Sequence, residues 1–600
     1  MNALKIFPDP RLIRCINLLS RPDQYVLAVG VLIQFILSLF DLLGVVLLGI
    51  IGTLSVRGIQ NAQSGTRLIS VLKFLHLENE DFRTQVAILS ALAVCLFVLK
   101  TSLSAIVGKR LMYFLSRRGA SLSIKLFKDM LQVLGPQSAD QSRQNRIYAV
   151  GVGISAISGG VLVQFISIVT DFILLIVILI GVAFISPIMA IAVLLVFSVA
   201  ASILNYQMNQ RAFQIGRQAS NLSRINNDHI DETISMFREH FVRGSVEKSI
   251  SEFANRRMKL ADLEAEQRFM PFISKYVIES VMILSIFLVS ALQFLLYNAA
   301  SAVGQMSIFL AATTRLAPAI LRIQQSSVSL KGNLGTALPT LEMIDEVNNY
   351  LLNKKATFYS AAGQIGASTK SGVLLEAKNV SFKYSLQGKL IVKDFSLEIE
   401  QGDHVAITGD SGVGKSTIVD LLIGVREPIS GFIRISGLEP KTFIAINPGA
   451  IAYIPQRIVL KEGTIFENVV LGMPSRESID ETVVTDALIR AGLGPFIESS
   501  PLGLQAQIGP LGVNLSGGQI QRIGIARALI SNPKILVLDE ATNALDRRTE
   551  TEVVKNIYSR DSNTTIITIA HRETSLESAN VFVRLGKSGN ITVKRLGDRR

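Results

Sequence analysis

The strongest constraint on this chain is a series of apolar stretches in its first half, each long enough to cross a membrane as one helix. A bilayer core of about 30 Å takes about 20 residues of helix. Residues 25–54 contain one charge, Asp41, and residues 86–108 contain one, Lys100. Residues 161–206 supply two spans, 161–185 and 187–206, with Ser186-Pro187 as the turn between them. Residues 272–297 and 301–327 supply a fifth and a sixth, the last interrupted by Arg315 and Arg322. The spacing therefore predicts an α-helical membrane domain of six spans over residues 25–330. A secretory signal is not expected, because the first apolar run is too long for one and no small-residue cleavage site follows it.

Charge sets the orientation. The whole chain carries +13, but residues 1–330 hold 30 Lys+Arg against 19 Asp+Glu, whereas residues 331–600 hold 30 against 28. Basicity confined to the apolar half excludes a simple nucleic-acid binder. Residues 1–24, 109–150 and 207–270 carry 22 Lys and Arg, and the connections on the other side carry four. Positive charge stays inside, so both termini and the two long connections are expected in the cytoplasm, with an inner (plasma) membrane as the location. Those connections continue the helical patterning, so the helices should project beyond the bilayer. Residues 1–24 form a cytoplasmic region in which Pro8–Gln24 reads as an amphipathic segment lying on the inner leaflet.

The texture changes beyond the spans. Residues 331–372 read as a linker, polar, small and aperiodic over 353–372. Residues 373–600 alternate short β-branched runs (HVAITG, KILVLDE, TTIITIAH) with helical patterns, the mark of an α/β domain with a largely parallel sheet. Cys15 and Cys95 lack ligand-like spacing and read as small buried hydrophobes.

The chemistry concentrates in this second part. Gly409, Asp410, Ser411, Gly412, Val413, Gly414, Lys415 and Ser416 follow the strand His404–Thr408 and precede the helical run opened by Thr417. This is a P-loop of the form G-x-x-x-x-G-K-[ST]. Its glycines let backbone N–H groups turn onto phosphate oxygens at a helix N-terminus. Lys415 would reach the β/γ-phosphates and Ser416 would bind Mg²⁺. A buried strand ends in Asp539-Glu540, where Asp539 suits Mg²⁺ and Glu540 suits a general base acting on water. Between these motifs stand Leu515, Ser516, Gly517, Gly518 and Gln519.

With LSGGQ in this company the chain resembles the ATP-binding-cassette (ABC) transporters, and the resemblance covers essentially its whole length. It implies ATP and Mg²⁺ as ligands and an ATP-hydrolysing translocase as the activity. It identifies Gln456 with the glutamine that senses Mg²⁺ and γ-phosphate, His571 with the switch histidine, and Tyr384 with the aromatic that stacks on adenine. Asp546 falls in the D-loop, where Asn543 stands in place of the usual Ser. In that family Ser516 and Gly518 of one subunit close over the γ-phosphate held by the other. One cassette and six spans make this a half-transporter, so a second copy is implied, with a heterodimer as the alternative.

A membrane half followed by a cassette resembles the exporter class. Its coupling helices should lie near Leu126–Val133 and Asp231–His240. Within that class Arg315-Leu-Ala-Pro318-Ala-Ile-Leu-Arg322-Ile resembles a pattern of the lipid-linked-oligosaccharide flippases, as does the amphipathic external segment Arg67–Leu77. No cysteine-protease domain, carried by some peptide exporters, precedes the span that begins at Tyr25. Lys100, Lys275, Arg315 and Arg322 form a set of intramembrane cations that could hold an anionic headgroup. The substrate expected is thus an amphipathic lipid-linked glycan or glycolipid, with membrane lipids as surroundings. The plainer alternative is that these cations snorkel, or pair with Asp41, Asp171 and Glu279 for packing alone. Export of a peptide, polysaccharide or drug, and an ATP-gated channel or regulatory subunit, are the rival functions.

Overall fold

A computed structural model describes the chain except residues 1–8, 61–80, 134–142, 186, 297–298, 362–371, 385–388, 474–478, 509–514, 542–546, 561–562, 570–578, 587–589 and 597–600. It divides into two compact units, one of Met1–Leu134 with Ala139–Thr357 and one made mainly of Phe358–Arg600.

The first unit is helical. Helix α1 (Pro10–Asn17) starts at Asp9, whose carboxylate accepts from the Arg11 N–H at 3.0 Å, with Pro10 supplying a preset φ at the first position. Its buried Leu12 and Cys15 pack, with Leu19, in one cluster with Leu115, Leu126 and Met130. There follow α2 (Arg21–Gln60), α3 (Phe82–Val133) and α4 (Arg143–Tyr148). Two π-helical stretches, Ala149–Gly153 and Ala156–Leu162, lead into α5 (Val163–Ile185). Next come α6 (Pro187–Ser235), the short α7 (Phe237–Val242), α8 (Val246–Leu296) and α9 (Ala299–Ala361).

Each expected span lies mainly within one of α2, α3, α5, α6, α8 and α9. Among the described residues four stretches are long and apolar enough to cross a membrane: Arg21–Gly44, Arg83–Leu131, Arg143–Ala183 and Val246–Ala291. At 1.5 Å per residue a 49-residue helix such as α6 runs about 70 Å, more than twice the hydrocarbon core, so much of it stands outside the bilayer. Helix α7 reverses the chain between α6 and α8, close to the second expected coupling segment. The first such segment, Leu126–Val133, is the end of α3.

Two expectations need correction. Residues 331–361, assigned to the linker 331–372, continue α9 without a break. The reason lies in Leu334, Ala337, Leu341, Ile344 and Val347, which recur at helical spacing and are all buried. Over 331–350 the exposed residues are the polar Glu342, Glu346, Asn348 and Asn349. Second, Cys15 is buried but Cys95 is exposed. A membrane helix is apolar on its outward face too, so apolarity there does not imply burial.

Helices α6 and α9 cross at backbone contact. A Cβ on Gly216 would lie 2.1 Å from the Gly332 carbonyl oxygen, and one on Gly335 would lie 2.3 Å from that of Phe213. Only hydrogen fits at these two positions.

The second unit is α/β. Its strands are β1 (Val373–Phe382), β2 (Val392–Glu400), β3 (His404–Gly409), β4 (Ser430–Ile435) and β5 (Ile451–Ile454). They continue with β6 (Gly463–Thr464), β7 (Gln507–Ile508), β8 (Ile535–Asp539), β9 (Thr565–Ile569), β10 (Val581–Leu585) and β11 (Ile591–Arg595). The main sheet has the order β11-β10-β3-β9-β8-β5, parallel except for the edge strand β11. A separate antiparallel sheet runs β2-β1-β4, and β6 pairs with β7. Every residue of β8 and β9 is buried, as parallel strands covered on both faces require. In such sheets ligands sit beyond the carboxyl ends of the strands.

Candidate functional site

Strand β3 delivers its carboxyl end to the P-loop, which turns into α10 (Lys415–Leu422). The turn depends on Gly414, the N-cap of α10, at φ +107°. A Cβ there would also meet Ile391 Cγ2 at 2.6 Å, so both conformation and space demand glycine. The buried Lys415 ammonium donates to the carbonyl oxygens of Gly409 and Asp410, at 2.9 and 3.1 Å. It therefore braces the loop from within. Ser411, Gly412 and Ser416 are exposed at the mouth. Thr417, one turn in, is buried, and its hydroxyl shares a 2.7 Å hydrogen bond with that of Tyr384.

Two strands across, β8 ends in Asp539. Strands β5 and β8 pair in parallel with Ile454 level with Leu538. The same register carried two residues further sets Gln456 level with Glu540, and the Gln456 amide donates to Glu540 Oε2 at 2.7 Å. Glu540 sits at φ +50°, a left-handed conformation rare outside glycine and asparagine. Asp539 accepts a hydrogen bond from the Tyr453 hydroxyl at 2.8 Å. Burial pushes the Asp539 carboxyl above the usual aspartate range and the charge of Glu540 adds to this, while the Tyr453 bond and Lys415 oppose it. Burial likewise raises the Tyr453 phenol, with Asp539 adding to the shift. A desolvated carboxylate facing an ammonium is a good seat for a cation that brings its own phosphate ligands.

Tyr384 is half-exposed, with its edge toward Phe382 at 5.4 Å between ring centroids. The Arg426 guanidinium lies 4.5 Å from its ring centroid and is tied to Asp420 at 3.0 Å. Neither Arg426 nor Tyr453 was visible as a site residue in the sequence. Tyr453 in β5 stands level with Val537 and not with Asp539, so the strand register does not point to it. Arg426 carries no local signal.

The LSGGQ stretch caps α11 (Gly517–Leu529). The Ser516 hydroxyl accepts from the Gln519 N–H at 3.3 Å, and the Gln519 side chain accepts from the Ser516 N–H at 2.7 Å. This capping box fixes the first turn, and the space around Gly517 is open. Leu515 is half-buried beside the core of the same region. Arg522 then anchors the helix on the Gly492 carbonyl at 2.7 Å. His571 and Asp546 lie outside the described residues, as does the external segment 67–77.

In the membrane half the predicted cations have acidic partners. Lys100 Nζ meets Asp41 at 2.5 Å, between α3 and α2. Arg322 grips Asp171 of α5 through two nitrogens, Nε at 3.0 Å from both carboxylate oxygens and Nη2 at 2.6 Å from Oδ1. Lys275 stands 3.8 Å from Glu279, one turn along α8. The packing alternative thus describes three of the four cations, and the side chain of Arg315 lies outside the described residues.

Residues 392–543 match the family model described as ABC transporter. The ABC multidrug transporter mdr2 of Aspergillus fumigatus is 36% identical over 301 residues, 49% of this chain and 36% of that protein. The ATP-dependent lipid A-core flippase of Neisseria gonorrhoeae is 42% identical over 207 residues, 34% of this chain and 33% of that one. The chain spans about a third of the length of these curated relatives. A bacterial Atm1-family ABC exporter solved with ATP bound matches over 94% of both chains, with a TM-score of 0.71 and 20% identity, a likeness of fold. Residues 392–543 are thus similar to the ABC transporter domain, and the chain shares the fold of a solved ABC exporter.

Proposed function

We propose that the protein is an ATP-driven exporter or flippase for an amphipathic, anionic glycolipid, working as a homodimer of half-transporters in an inner membrane. The observation that carries the ATPase part is the placement of Lys415, Asp539, Glu540 and Gln456 at the carboxyl ends of β3, β8 and β5 of one parallel sheet. Mg²⁺-ATP supplies the γ-phosphoryl group and the energy of its transfer to water. The residues present fit it: a glycine-shaped loop, an exposed Ser416 hydroxyl, and a buried carboxyl beside an ammonium. On this reading Lys415 exchanges the Gly409 and Asp410 carbonyls for phosphate oxygens. Ser416, Asp539 and Gln456 hold the metal, and Tyr384 offers its ring to the adenine. Glu540 Oε2, released by Gln456, takes the proton from the attacking water. His571 and Asp546 complete the site, and the Ser516 and Gly518 turn of the second copy covers it.

The substrate assignment rests on the intramembrane cations, supported by a relative whose name is lipid A-core flippase. Arg322 is the informative one. Its side chain is 51% exposed while Asp171 is 11% exposed, so the guanidinium offers an open side to an incoming anion while it stays paired with Asp171. The test is flipping in proteoliposomes, with ATPase stimulation measured across glycolipids and peptides. Stimulation by anionic glycolipids, lost in Arg315→Ala with Arg322→Ala while basal ATPase survives, is the expected result. Unchanged flipping in that double variant overturns the headgroup role. Stimulation by peptides or drugs instead favours the second reading, for which the multidrug transporter relative speaks. Ionic currents without ATP turnover would make the protein a channel.

A further inference from the structure

A basic groove runs along one face of α3, just past the expected second span, which ends at residue 108. Its open volume is about 940 Å³, and Ile106, Lys109, Arg110, Tyr113, Phe114, Arg117 and Arg118 line it. These positions repeat at three and four residues, so they form one helical stripe of about 18 Å. The stripe is graded in chemistry. Ile106 closes the membrane end, exposed Tyr113 and half-buried Phe114 occupy the middle, and the cations flank and extend beyond them. Arg118 is committed, bonded to Asp23 at 2.8 Å and stacked on Phe114 at 5.5 Å. Its role is to shape the wall. Lys109, Arg110 and Arg117 are exposed around the opening.

Beside the groove the same helix is nailed down. Leu111, Phe114 and Leu115 pack in the cluster that holds α1, the segment expected to lie on the inner leaflet. With the second span expected to end at 108, the groove would stand at the height of lipid phosphates, with an exposed tyrosine beside cations that phosphate attracts. We propose that this groove binds the headgroup of an anionic lipid of the inner leaflet, its phosphate among Lys109, Arg110 and Arg117 and its glycerol and first chain carbons against Tyr113 and Ile106. The site is distinct from the ATP site and from the intramembrane cations, and it holds whatever the transported substrate proves to be.

The experiment uses the full-length protein in nanodiscs of phosphatidylcholine, titrated with phosphatidylglycerol and read by native mass spectrometry and ATPase rate. Lys109→Gln with Arg110→Gln and Arg117→Gln should weaken phosphatidylglycerol retention on the order of 100-fold, the product of three cations near a charged surface. Basal ATPase in pure phosphatidylcholine should stay unchanged, which shows that the variant is folded. Lys125→Gln with Lys128→Gln, which removes charge from the same helix beyond the groove, should leave retention within about twofold. Equal loss in this control, or undiminished retention in the groove variant, overturns the site. Full competition by soluble glycerol phosphate would identify a free-phosphate site and overturn the lipid assignment.

Discussion

The Gln456 amide donates to Glu540 Oε2 at 2.7 Å, and the parallel pairing of β5 with β8 is what sets the two level. Gln456 thus holds the Glu540 carboxylate in place. Glu540→Gln should lower ATP hydrolysis by about 10²–10⁴-fold while leaving ATP affinity within a few fold. Gln456→Ala should lower it less and weaken the response to Mg²⁺. Phosphate release under single-turnover conditions and nucleotide binding by fluorescence check both. Full activity in Glu540→Gln would remove Glu540 from its assigned role.

Asp539 makes a pH prediction. Its carboxyl is raised by burial, so it takes up a proton at a higher pH than an ordinary aspartate. Mg²⁺ needs the ionised form. The Mg²⁺-dependent part of ATP affinity should therefore fall as pH drops through this raised value, while affinity for metal-free ATP does not follow it. A raised acid also costs stability above its folded pKa, a cost relieved as pH falls through that value. Asp539→Asn should accordingly raise the melting temperature of the nucleotide-free protein at neutral pH and abolish Mg²⁺-dependent hydrolysis. A lower melting temperature would contradict the burial argument.

Gly414→Ala tests the loop. The φ of +107° alone costs a side chain about 1–3 kcal/mol, and the new Cβ collides with Ile391. ATP affinity should drop by about tenfold or more. Pairing the change with Ile391→Ala should recover the steric part and not the conformational part. Isothermal titration of both variants separates the two.

Arg322→Ala strands the buried carboxylate of Asp171. With Arg322 half in solvent, the expected loss is about 1–3 kcal/mol, below that of a fully buried pair. Asp171→Asn in the same chain should restore most of it. Thermal unfolding in detergent measures this, and a single Arg322→Ala variant as stable as the parent would show that the pair does not hold α5 to α9.

Much of this was legible in the sequence for identifiable reasons. The P-loop, the Asp539-Glu540 pair and LSGGQ are contiguous, so local spacing sufficed. The α/β class followed from runs such as 535–538, whose burial on both faces leaves no polar residue to hide them. The apolar runs forecast the long helices, because hydrophobicity and helical period coincide there. The end of α9 was not legible. The exposed polar residues Glu342, Glu346, Asn348 and Asn349 mask a buried stripe through Leu334 and Leu341. Long-range pairings were invisible too: Arg322 finds Asp171 across 151 residues, and Tyr453 finds Asp539 across 86. Sequence supplied the charges, and only the helix packing chose among partners.

The crossing of α6 and α9 has a mechanical consequence. Where two helices meet through side chains, methyl groups can yield and one helix can ratchet along the other. At Gly216 and Gly335 there is nothing to yield, since backbone lies on backbone. A shift of one residue in either helix would bring Ile215 or Thr336 into space that admits no Cβ. The contact resists translation while leaving rotation about it open, so it serves as a pivot. Motions in which α6 and α9 slide along one another are costly for this chain.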